Sequence, residues 1–360
     1  MPIRASGRHS GRCMSSSPDT RQGKDKKILL LYLMYLAFLS AIFVVCGEVI
    51  VRYKGIEPWQ TKVRPIEVDP GGRLFTRHST LGYTGTPGSF LVTLPTGYSF
   101  RVTHLPSTLR ITHRRDSYDA SSQKPEIWIF GCSLTYGWSL NDEETFPWLL
   151  QETLPENEVV NFGVDGYGTV HSAMQFRDAL KSKTPKVAVL AYAFFHDQRN
   201  TLSRMRRKSI VPHYRLARPQ MHPVARVEDG KLLYSVEEIE YREFPLMRRL
   251  ALAHYIETAY NGRDLAWRHG RSVSEAVIAD MVELARKHQV KFVVAGIRGG
   301  QGMLEWAKSR GIPGVDISVD LTIRENTNLP HDGHPSAIAA KQYADRLETF
   351  LRANVLEDTE

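Results

Sequence analysis

The rhythm of hydrophobic and polar positions divides the chain into stretches of different texture. Residues 28–46 (ILLLYLMYLAFLSAIFVVC) are nineteen positions without one charge. At about 1.5 Å of rise per residue, a helix of that length covers roughly 28 Å, close to the hydrocarbon thickness of a bilayer. A cleaved signal peptide would carry a shorter apolar region followed by a small-x-small cleavage site. The exit here is Val44-Val-Cys-Gly-Glu48, which has no such site. A lipoprotein signal would place a small residue directly before Cys46, where Val45 stands. The stretch therefore predicts an uncleaved transmembrane anchor over residues 28–50.

Past the anchor the pattern shortens. Between residues 55 and 123, prolines and glycines separate runs of period two: SFLVTL (89–94), YSFRVT (98–103) and TLRIT (108–112). Alternation bounded by turn residues predicts a small antiparallel β-rich region. From Pro125 onwards, short apolar runs alternate with segments of helical period. The predicted strands are 127–130, 158–162, 187–194, 291–296 and 314–317. The predicted helices are 141–152, 169–182, 273–288, 303–310 and 335–352. Such alternation predicts a flavodoxin-like α/β domain over residues 124–360: a parallel sheet of about five strands with helices on both faces. Residues 200–270 interrupt the rhythm as an insertion. It holds a basic cluster (Arg199, Arg204, Arg206, Arg207, Lys208), a hairpin signal at Glu228-Asp-Gly-Lys231 and a helical stretch over 246–262.

Composition narrows the class. The 360 residues are 42% hydrophobic and 24% charged, values of a globular chain. Of the net charge of +8, five units come from residues 1–27, a basic, Ser- and Gly-rich tail predicted to be disordered. What remains is too little for a nucleic-acid surface, and no basic-aromatic stacking pattern accompanies it. By the positive-inside rule the tail is cytoplasmic, and everything past the anchor is extracytoplasmic, or periplasmic in a bacterium. The three cysteines, Cys13, Cys46 and Cys132, form neither a disulfide framework nor zinc-ligand spacing. No metal or cofactor is expected.

The candidate chemistry lies where predicted strands end. The first strand runs into Gly131-Cys-Ser133, presenting a hydroxyl at the sheet rim, where open α/β sheets bind ligands. The second runs into Asn161-Phe-Gly-Val-Asp-Gly-Tyr-Gly168, a turn flexible enough to bring backbone amides close to a ligand. The third ends in Phe194-Phe-His-Asp197. Before the last helix comes Leu329-Pro-His-Asp-Gly-His-Pro-Ser336, in which Asp332 is placed to orient the imidazole of His334. The G-x-S-x-G elbow of α/β-hydrolases is absent, because Thr135 takes the place of its last glycine.

In this order the four stretches resemble the SGNH (GDSL-like) hydrolase family, over about residues 125–355. The anchor and the β-rich region resemble its extracytoplasmic, polysaccharide-acting branches. The resemblance implies Ser133 as nucleophile, His334 as general base and Asp332 as its orienting partner. It implies an oxyanion hole from the N–H groups of Ser133 and Gly166, with His196 where the family has an asparagine. A neutral histidine retains one N–H for that role. Cys132 stands where the family usually has aspartate, and Asp-Gly-His replaces the commoner Asp-x-x-His. The implied activity is a membrane-anchored serine esterase or O-acyltransferase, working through an acyl-serine on a carbohydrate ester. A catalytically degenerate glycan-binding module and a lysophospholipase-type lipid esterase remain open beside it.

Overall fold

The uncharged run lies within one helix, α1 (Asp19–Tyr53), in a computed structural model. The structure describes residues 19–61, 65–114, 123–210 and 220–356, with backbone alone for 19–24. Residues 1–18 of the basic tail, Cys13 among them, lie outside the described residues, as do residues 115–122 near the end of the β-rich region. Contacts group the chain into two units, Met1–Gln60 with Phe244–Glu257, and Thr61–Glu243 with Thr258–Glu360. In the first unit, Glu48 accepts hydrogen bonds from the backbone N–H groups of Ala251 (3.0 Å) and Leu252 (2.8 Å). The Trp59 N–H donates to the Met247 carbonyl at 2.9 Å. From residue 28 to residue 36 every side chain of α1 is exposed.

The second unit begins with β1 (Glu67–Asp69), a hairpin of β2 (Phe75–His78) and β3 (Gly82–Gly85), then β4 (Gly88–Thr93) and β5 (Ser99–His104). Strands β1, β4 and β5 form an antiparallel sheet in which Phe90 faces Val102 and Val92 faces Phe100. Its inward residues Val92, Phe100 and Val102 share a core with Leu74, Leu94 and Tyr136. The 108–112 run does not join this sheet as a further strand. Thr108 has φ +71°, and Arg110 forms only isolated bridges, to His104 and Asn161. The reason is Arg110 itself, which turns its side chain inward.

The rest of the unit alternates as expected. In order come β6 (Glu126–Phe130), α2 (Ser133–Tyr136), α3 (Phe146–Thr153), β7 (Glu158–Asn161), α4 (Thr169–Ala179) and β8 (Val187–Ala193). Then follow α5 (His196–Asn200), α6 (Arg204–Ile210), the hairpin β9 (Met221–Glu228) and β10 (Lys231–Glu238), α7 (Ala251–Trp267) and α8 (Gly270–Lys287). Last are β11 (Lys291–Arg298), α9 (Gln301–Ser309), β12 (Gly314–Asp316) and α10 (Ala337–Leu351). The predicted 141–152 helix is divided: a 3-10 turn (Asp142–Glu144) precedes α3, whose first turn contains Pro147. Proline lacks an N–H and fixes φ, so it favours a helix start over a helix interior.

The five parallel strands stand in the order β12-β11-β8-β6-β7. By appearance that is 2-1-3-4-5, the flavodoxin-like arrangement, and the order reverses between β6 and β8. Both faces of β6 are covered, which is why its sequence is apolar at every position after Glu126. Ile127 and Ile129 pack with α3 and α10, through Phe146, Tyr343 and Leu347. Trp128 and Phe130 pack with α4 and α8, through Phe176, Val277 and Met281. In the insertion, Asp229 and Gly230 both take positive φ (+50° and +74°), as a two-residue type I′ hairpin turn requires.

Candidate active site

Ser133 opens α2 at the carboxyl end of β6. The turn into it is tight: a Cβ on Gly131 would stand 2.1 Å from the Thr135 hydroxyl, so only glycine lets the first turn of α2 fold back onto the strand. The Gly137 N–H returns to the Ser133 carbonyl (2.9 Å), and Gly137 closes the turn at φ +82°. Beneath α2, a buried cation fixes its far end. Arg110 donates to the carbonyls of Tyr136 (2.9 Å), Gly137 (2.7 Å), Leu140 (2.7 Å) and Arg101 (2.9 Å), and pairs with Asp142 at 2.9 Å.

His334 reaches this serine from the loop before α10. Its Nε2 lies 3.1 Å from the Ser133 hydroxyl, and its Nδ1 hydrogen-bonds Asp332 Oδ1. A carboxylate beside Nδ1 fixes the proton there, which leaves Nε2 as the acceptor for the Ser133 O–H. Asp332 Oδ1 also accepts the His334 backbone N–H at 2.7 Å, and Trp138 Nε1 donates to Oδ2 at 3.2 Å. Burial works to raise the Asp332 carboxyl, but these bonds outweigh it and hold the group below the usual carboxylate range. The loop is closed on itself, with the Asn328 N–H on the His334 carbonyl (3.0 Å) and the Asp332 N–H on the Asn328 carbonyl (3.0 Å). The Asn328 amide ties it to the Ser139 carbonyl at 2.9 Å.

The glycine-bearing turn after β7 is fastened by its carbonyls. Those of Asp165, Gly166 and Tyr167 accept from Tyr83 (2.6 Å), Arg206 (2.5 Å) and Arg199 (2.6 Å). Gly166 has φ +80°, and a Cβ there would stand 2.3 Å from the Tyr83 hydroxyl. Two members of the basic cluster, Arg199 and Arg206, are therefore committed to this turn. Arg207 is committed to the Leu202 carbonyl (3.0 Å) and Glu237 (2.9 Å).

His196 opens α5 at the end of β8 and is fully buried. Its Nδ1 is 3.3 Å from the Thr169 hydroxyl, and its Nε2 has no hydrogen-bond partner among the described residues. Burial first, and then Arg199 and Arg206, push its imidazole well below the ordinary range, so the ring is neutral. Asp197 does not hold it. That carboxylate accepts instead from Tyr192 (2.6 Å) and Ser274 (2.6 Å). The structure thus joins Ser133, His334 and Asp332 in one hydrogen-bonded chain, while His196 makes no hydrogen bond to any of them. Cys132 is fully buried, and burial pushes its thiol up, away from the thiolate that nucleophilic attack needs.

Trp138 and Arg110 escape a sequence reading. An indole five residues after the serine reads as core, and an arginine in an alternating run reads as solvated. Among the described residues, no group of three or more histidine, cysteine or carboxylate side chains could hold a metal ion. A cavity of about 790 Å³, lined by Arg110, Trp128, Asn161 and Met174 among others, includes none of Ser133, Asp332 or His334.

Comparison with family models and with curated sequences finds no match. Solved structures do align. A G-D-S-L family protein from Desulfitobacterium hafniense DCB-2 is 14% identical, covering 63% of this chain and 100% of its own, with a TM-score of 0.37. The psychrotrophic esterase EstA from a Pseudoalteromonas species is 10% identical, covering 64% of this chain and 98% of its own, at a TM-score of 0.35. A two-domain esterase active on acetylated mannans is 14% identical over 65% of this chain and 50% of its own, also at 0.35.

Proposed function

We propose that the protein is a membrane-anchored serine esterase or O-acyltransferase of the SGNH (GDSL-like) type, acting on an ester-linked acyl group of a carbohydrate. One observation carries this reading: Ser133 Oγ lies 3.1 Å from His334 Nε2, while Asp332 engages the other ring nitrogen. In the reaction Ser133 Oγ attacks the ester carbonyl as His334 Nε2 takes its proton. The N–H groups of Ser133 and Gly166 receive the developing oxyanion, and the single N–H of neutral His196 serves as the third donor. Collapse returns the proton from His334 to the leaving alcohol and leaves an acyl-serine. Water or a carbohydrate hydroxyl then resolves it.

The reading keeps a basic tail (1–27), an anchor (28–50), a β-rich region (55–123) and a catalytic domain (124–360). Helix α1 supports the anchor, since residues 25–53 are long and apolar enough to cross a bilayer. The tail then faces the cytoplasm and the catalytic domain the opposite side. A glycan-binding module with lost catalysis is the second reading. The full enclosure of His196, whose buried Nε2 has no hydrogen-bond partner among the described residues, favours it.

The test uses the full chain in detergent with an O-acetylated oligosaccharide, following acetate release and acetyl transfer to an acceptor sugar. The expected result is turnover that falls at least about a thousandfold in Ser133→Ala, since removing the nucleophile of an intact triad can cost up to about a millionfold. Equal rates in the two proteins would overturn the esterase reading.

A further inference from the structure

Resting on the anchor proposed above, we infer that residues 246–256 are a second membrane contact, seated in the headgroup layer where α1 leaves the bilayer. The uncharged run of α1 ends at Cys46, so Glu48 stands about 3 Å of helix rise beyond the hydrocarbon. The headgroup layer on each side is only about 5–8 Å thick. Glu48 accepts the N–H groups of Ala251 (3.0 Å) and Leu252 (2.8 Å), which fixes the first turn of α7 at that depth. The neighbouring residue agrees, because a Cβ on Gly47 would stand 2.9 Å from a Leu252 methyl carbon.

What this segment shows outward suits that depth. Leu246 is 56% exposed, Tyr255 45% and Ile256 51%, and Tyr53 at the end of α1 is 93% exposed. Large apolar and aromatic side chains left uncovered beside a membrane exit match the interfacial belt, where aromatic rings and aliphatic side chains settle at headgroup level. Arg248 and Arg249 are exposed in the same segment, with Arg248 stacked 4.7 Å over Trp59. Basic groups in that layer add attraction to anionic headgroups. The occupant is therefore a lipid surface containing anionic phospholipid.

The experiment places the photo-crosslinking residue benzoylphenylalanine at Ile256, and separately at Leu246, in the full chain. The protein is reconstituted into phosphatidylcholine–phosphatidylglycerol vesicles. The same residue at Ile42 reports on the anchor, and an unirradiated sample of each protein gives the background. The expected result is lipid adducts at 256 and 246 within about threefold of those at 42, and at least tenfold above background. Adducts at 42 with background levels at 256 and 246 would overturn this contact and leave the anchor standing. Background at 42 as well would overturn both. Crosslinks from 256 to a second copy of the chain instead of lipid would assign the surface to self-association and overturn the inference.

Discussion

Asp332 is held by three N–H donors, the backbone and ring of His334 and the indole of Trp138, which fixes both carboxylate oxygens. Trp138 is the donor that comes from outside the loop, and its ring also packs edge-on against Phe100 at 5.4 Å. Trp138→Phe keeps that packing and removes the N–H. Hydrogen bonds to charged groups contribute about 1.5–3 kcal/mol, so the reading predicts a fall in kcat of at least about tenfold with KM little changed. Steady-state kinetics on a soluble ester measures both. A kcat equal to wild type would show that the carboxylate is positioned without the indole. Ser133, Asp332 and His334 were legible in the sequence because each sits in a short stretch at a strand or helix end. Trp138 was not: its partner is 194 residues away, and nothing local distinguishes it from a core aromatic.

Arg110 shows how a segment can follow one pattern and fold by another demand. TLRIT (108–112) alternates as an exposed-face strand would, yet its arginine is 1% exposed and the neighbouring Ile111 is buried too. Period two records which side chains differ in polarity, not which of them a buried acceptor cluster will claim. Four carbonyls and Asp142 claim this one, and the segment gives up strand pairing to deliver it. By contrast, the central strands β6, β8 and β11 were legible almost to the residue, because burial on both faces demands nearly uninterrupted apolar runs. The same burial makes Arg110 costly to lose. Arg110→Met leaves Asp142 without its cation, and breaking a buried ion pair by removing one partner costs about 3–5 kcal/mol. Denaturant unfolding should show a loss of that size, while Arg101→Met, at a largely exposed pair with Glu143, should cost less than about 1 kcal/mol. Equal losses in the two variants would contradict the structural role given to Arg110.

At the scale of the whole molecule, buried histidines set the response to acid. His104, His171, His196 and His222 are each 2% exposed or less. Burial is the first cause in every case, and it lowers His104 to about 4 and His222 to about 3, with His171 and His196 well below the ordinary value. The contacts of His104 suit the neutral form that burial favours: Nδ1 donates to the Thr86 carbonyl (2.9 Å), and an unprotonated Nε2 accepts from the Tyr136 hydroxyl (2.9 Å). An unfolded histidine takes up its proton near pH 6.5, whereas these folded ones resist until far lower pH. The stability they contribute is complete above about pH 6.5 and declines as pH falls towards the folded values. Each histidine then contributes about 1.4 kcal/mol of loss per pH unit. Thermal unfolding from pH 7.5 to 4.5 should show a steep fall in Tm beginning near 6.5, and a shallower one in His222→Gln. A flat Tm between 7 and 5 would contradict it. None of this was legible beforehand, since a histidine's burial is decided by packing from several elements at once.

The central claim is that Ser133 is an activated nucleophile, and covalent capture tests it most directly. The full chain is treated with a fluorophosphonate and the modified peptide is located by mass spectrometry. The account predicts one adduct, on Ser133, absent from Ser133→Ala and strongly slowed in His334→Ala. No adduct on the wild-type protein, or undiminished labelling of Ser133→Ala, would contradict it.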